Sequence, residues 1–201
     1  MEGTSSRASG RKNLSFFALL LLFLVGMIYG VLMLKGIDTY GWMKLYTGEY
    51  FSALGERTLL QSFLTSFSSL FLYLLASYLL GFCAVGQPVI LLLPFFRGLG
   101  LGAFMGYLYV SYGFRGVGYC LLVLLPAAVI ALLGILIACR ESLRLSILLF
   151  SSFVLGKGTP NGRGIMKLYN LKYLILCIFA LASAFIGTLC TLLFAGMFHL
   201  T

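Results

Sequence analysis

The sequence predicts an all-α polytopic membrane bundle of about five spans, with a short interfacial helix in the first outer loop. Three observations carry this. Of the 201 residues, 61% are hydrophobic and only 9% charged, which is not the balance of a water-soluble domain. The apolar stretches reach the roughly 20 residues that an α-helix needs to cross a bilayer. The basic residues behind the net charge of +9 collect between those stretches, where they report topology and contact anionic headgroups rather than nucleic acid.

In order, residues 1–13 are polar, carry Arg7, Arg11 and Lys12, and read as a disordered cytoplasmic tail ahead of a single membrane domain, 14–201. The first span, about 14–34, carries no charge, and no small-residue cleavage site follows it, so it reads as an uncleaved helix rather than a signal peptide. Asn13-Leu14-Ser15 matches a glycosylation sequon but falls on the expected cytoplasmic side. The first outer loop, 35–57, is dense in aromatics, including Trp42, Tyr46 and Tyr50, which favour the headgroup layer and form the expected outer-loop contact. The second span, about 58–85, begins with a polar half containing Gln61, Ser62, Thr65, Ser66, Ser68 and Ser69. Gly86-Gln87-Pro88 then forces a tight antiparallel hairpin into the third span, about 88–112, where Pro94 predicts a kink or break. Tyr112–Gly118 reads as a glycine-rich loop, and the fourth span as about 117–139. Leu145–Leu155 is too short to cross and is expected to continue helix 4 along the interface or to pack under the bundle. Residues 156–164 form a basic glycine-rich loop without the Walker order of a phosphate loop, and the last span is about 171–197.

Five alternating spans starting from a cytoplasmic N-terminus put Arg7, Arg11, Lys12, Arg140, Arg144, Lys157, Arg163, Lys167 and Lys172 inside. Lys35, Lys44, Arg57 and Arg115 then lie outside. This follows the positive-inside rule and leaves the C-terminus extracytoplasmic.

The third span holds the residues of greatest interest. Gly98, Gly102 and Gly106 recur every fourth position and so share one helix face, where another helix can approach closely. Gly26 and Gly30 form a second such pair on the first span. Arg97 lies inside the apolar run, a costly place for a guanidinium. With Pro94 and the glycines giving it room, it is expected to snorkel toward the cytoplasmic face and pair with Glu141 or with lipid phosphates. The spans contain no carboxylate pair or histidine triad, so the chain reads as non-enzymatic. Cys83, Cys120, Cys139, Cys177 and Cys190 form no metal-binding spacing, and His199 is the sole histidine, so neither metal nor cofactor is expected.

In order and spacing these features resemble the stage II sporulation protein M family. The resemblance runs through Leu24-Val25-Gly26-Met27-Ile28-Tyr29-Gly30, Gln61-Ser62-Phe63, Gly81 and Gly86-Gln87-Pro88. It continues through Phe96-Arg97-Gly98-Leu99-Gly100-Leu101-Gly102, Gly113 and Leu124-Leu125-Pro126, covering about residues 16–150. Family members often follow the span-4 proline with polar residues, where this chain has Ala127-Ala128. The resemblance implies a multi-pass scaffold of the bacterial cytoplasmic membrane. It would assemble with two peptidoglycan hydrolases, stage II sporulation proteins D and P, during septal thinning and engulfment of the forespore. The alternative from a different class is a small permease or lipid-handling protein using the polar face of span 2, or a partner subunit of a transporter.

Overall fold

A chain in lipid has no water to satisfy its backbone and must close its hydrogen bonds within each segment, so apolar spans become helices. The computed structural model describes residues 3–36, 59–83, 85–154 and 162–194. It consists of α1 (Gly3–Gly36), α2 (Leu59–Phe82), α3 (Gln87–Tyr119), a π-helical turn (Cys120–Leu124), α4 (Leu125–Val154) and α5 (Gly162–Phe194). Five helices are long and apolar enough to cross a membrane, and the described residues contain no strand.

Helix directions follow from which residues meet. On α1, Gly26 faces Phe95 and Gly30 faces Leu99 of α3, so both numbers rise together and the helices run parallel. Ser77 meets Ser142, and Cys83 meets Ser146, so α2 and α4 are also parallel. Ser142 meets Tyr169 and Ala127 meets Ser183, which makes α4 and α5 antiparallel. The directions are those of a chain that crosses the bilayer up and down in turn. The main core forms where α1, α2, α3, α4 and α5 converge, with Leu19, Leu70, Ile90, Leu136 and Leu176 buried.

Several boundaries differ from those expected. Residues 3–13, read as a tail, continue α1 as helix, because extending a formed helix needs far less than nucleating one. Pro94 does not break α3: it is fully buried, and the one non-helical residue inside the helix is Gly113. The 112–118 segment is accordingly a helical corner rather than a loop. A Cβ on Gly116 would strike the Leu108 carbonyl, which lies about 12 Å away in a straight helix, so the chain reverses at Gly113. The π turn that follows lies directly before Pro126, whose ring would otherwise press on the Leu122 carbonyl. Leu145–Val154 continues α4, and Ser146 donates to the Cys83 carbonyl at 2.7 Å, which ties this extension to the α2–α3 hairpin. The last helix starts at Gly162, earlier than expected. The expected interfacial helix with Trp42, Tyr46 and Tyr50 lies outside the described residues.

Gly113 adopts φ 56° and ψ −134°, a conformation closed to residues with a side chain. Its Cβ would meet nothing, so strain is isolated from packing there. Gly113→Ala is expected to destabilise the protein by about 1–2 kcal/mol, read as an earlier unfolding midpoint in detergent.

Candidate functional site

Three features are built from the helices. The first is a clasp between α1 and α3. A Cβ on Gly26 would overlap the Phe95 carbonyl oxygen, and one on Gly30 the Leu99 carbonyl oxygen. Conversely, a Cβ on Gly98 would overlap the Phe23 carbonyl oxygen, and one on Gly102 that of Met27. The two glycine pairs therefore interlock, each against the other helix's backbone. Where a Cβ would strike a carbonyl oxygen, the glycine Cα–H points at it, and such Cα–H···O contacts add to the dispersion gained by close approach. Gly106, third in the α3 series, is buried as well.

The second feature is a polar network, which the sequence reading did not single out. Ser77 on α2, Ser142 on α4 and Tyr173 on α5 meet with hydroxyls in mutual contact: Ser77 lies 3.0 Å from both Ser142 and Tyr173. Ser142 also bonds Tyr173 and, at 3.2 Å, Tyr169. Tyr169 donates to the Tyr78 carbonyl and Tyr173 to that of Ala138. Tyr78 stacks on Tyr169 with ring centroids 5.3 Å apart and donates to Asn170. A Cβ on Gly81 would overlap the Tyr169 hydroxyl, so that glycine makes room for the ring. Ser77 and Ser142 are essentially inaccessible to solvent, at 1% and 0%. Every member is satisfied, and none is a carboxylate or an imidazole able to take a proton from a hydroxyl. Such a network ties three helices together and fixes their rotation. A sequence signal was available: Ser142 with Ser146, and Tyr169 with Tyr173, each repeat at helical spacing of four.

The third feature is Arg97, and here the expected ion pair is corrected. Glu141 is held by Lys172 at 2.7 Å, the pair lying one residue before Ser142 and Tyr173 of the network on the same two helices. Arg97 instead donates to the Ser69 hydroxyl at 3.4 Å, and its guanidinium carbon stands 5.4 Å from the Tyr73 ring centroid. Two directions of approach explain the difference. Glu141 belongs to the α4–α5 seam, where Lys172 is on the facing turn, while Arg97 emerges on the side of α3 that adjoins α2. Pro94 is buried in α3 one turn before it. In the polar half of α2, Gln61, Thr65, Ser68 and Ser69 are exposed and Ser66 is half-buried. Ser183 donates to the Ala127 carbonyl at 2.9 Å, so a polar contact persists at the Ala127-Ala128 position through the backbone. The crevice between α2, α4 and α5 is apolar, lined by Leu70, Leu74, Gly134, Ile135, Leu176 and Ala180.

Comparison with known proteins adds one match. The family model for stage II sporulation protein M matches residues 19–198, from the first helix through the last. No curated protein and no solved structure matches.

Proposed function

We infer a scaffolding role from one premise: the chain belongs to the stage II sporulation protein M family. In this reading the protein does no chemistry of its own but holds peptidoglycan-cleaving partners at the membrane. The partners proposed are stage II sporulation proteins D and P, and the process is septal thinning during engulfment. The observation that carries the reading beyond membership is the interlocked glycine clasp. It closes α1 on α3 backbone to backbone, as suits a rigid platform, and Gln61, Thr65, Ser68 and Ser69 at the start of α2 are exposed. We place the N-terminus in the cytoplasm, because alternating helices then gather most basic loop residues on that side.

A cross-linked pull-down of a tagged copy from cells entering sporulation tests the reading. Enrichment of wall hydrolases over unrelated membrane proteins is expected. Recovery of a nucleotide-binding transport subunit without any hydrolase overturns it in favour of a transporter partner. A reporter fused after Thr201 is expected to be active outside the cytoplasm.

A further inference from the structure

We propose that the outer face of α2 and α3 around Arg97 docks a partner's transmembrane helix that carries an acidic side chain at mid-bilayer depth. This deepens the scaffold reading by naming where, and through what chemistry, a partner is held.

Arg97 lies ten positions beyond Gln87 at the hairpin end of α3, about 15 Å along the axis and half of a 30 Å hydrocarbon core. Ser69 lies thirteen positions before Phe82 at the same end of α2, about 20 Å along. The guanidinium reaches Ser69, so it extends away from the near membrane face instead of snorkelling to it. A lipid phosphate at that face is therefore out of its reach.

Charge comes next. The Ser69 hydroxyl and the Tyr73 ring that the Arg97 guanidinium meets carry no negative charge. Cations within a membrane are ordinarily matched by an opposite charge or by water. Glu141 is the only carboxylate among the described residues, and Lys172 already occupies it. Among the described residues, a second copy brings only the same Lys172-held Glu141.

Gly100, one turn after Arg97 on the same face of α3, is exposed, and a Cβ there would meet nothing within 4 Å. Thr65, Ser69 and Leu72 share a face of α2 and are exposed. Arg97 thus sits between a glycine notch and a face with small hydroxyl side chains, the surface on which a helix backbone packs closely. An incoming Asp or Glu there gains a charge-assisted hydrogen bond in a low dielectric.

A photo-reactive amino acid placed at position 65 or 72 of the full-length protein, in native membranes, tests this, with position 185 on α5 as the distant control. The expected adduct maps to a transmembrane segment containing Asp or Glu. Its yield is expected to fall on the order of tenfold in Arg97→Leu and to survive in Arg97→Lys, which keeps the charge. Gly100→Leu, which fills open space and leaves the fold intact, is expected to lower the yield as well. Adducts with lipid alone, with a second copy, or with a helix lacking an acid overturn the proposal, as does a yield unchanged in Arg97→Leu. The two readings fail separately. An acid-bearing helix from a protein that is not a wall hydrolase refutes the hydrolase assignment alone, while hydrolases in the pull-down with only lipid at positions 65 and 72 refute this docking face alone.

Discussion

Gly102→Leu is expected to lower the unfolding midpoint of the purified protein in detergent by roughly 5–10 °C, the scale of about 1–3 kcal/mol for a chain of this size. The physical reason is that its new side chain meets Met27 backbone, not a side chain that can rotate away. Relief requires α1 to move off α3 as a rigid rod, and that movement also opens Gly26, Gly30 and Gly98, which face the same seam. Even Gly102→Ala is expected to be harmful, because the first added carbon already overlaps the carbonyl oxygen. Gly100→Ala supplies the control: two positions away on the same helix, it enters open space and is expected to leave the midpoint within about 2 °C. Equal effects at 100 and 102 would mean that helix propensity, not the clasp, governs both.

Tyr173→Phe carries the second large effect, an expected loss of about 1–3 kcal/mol with little change in side-chain volume. Its hydroxyl touches Ser77 and Ser142 and donates to the Ala138 carbonyl, so removing it strips partners from groups that water does not reach. The combined variant Ser77→Ala, Ser142→Ala and Tyr173→Phe is expected to lose less than the sum of its three single changes. Replacing a whole network leaves fewer orphaned groups than cutting it once. Additive losses, measured by thermal unfolding of the four variants against the wild type, would show that the hydroxyls act independently.

Much of the clasp was legible because glycine spacing maps directly onto a helix face. Gly26 with Gly30, and Gly98 with Gly102, each announced a surface for close approach, although nothing in either segment said that the two surfaces would meet each other. The helical corner was half legible: Gly113 stood out as a glycine, but only its backbone angles distinguish a one-residue reversal from a loop. Pro94 misled, since a proline is read as a break by default, yet a buried helix in lipid can hold its course with one carbonyl unsatisfied by its usual donor. The Ser–Tyr network was the least visible, because single hydroxyls in apolar spans look alike until three helices rotate them together.

The sequence by itself determined the number of apolar helices, their membrane character and the family, because each rests on composition and short-range spacing along one segment. Tertiary structure alone decided which charges pair and which glycines interlock. Glu141 went to Lys172, and Arg97 was left facing Ser69 and Tyr73, because helix rotation sets which side chains share a seam. Rotation comes from the contacts of all the helices at once, and no single stretch of chain records it.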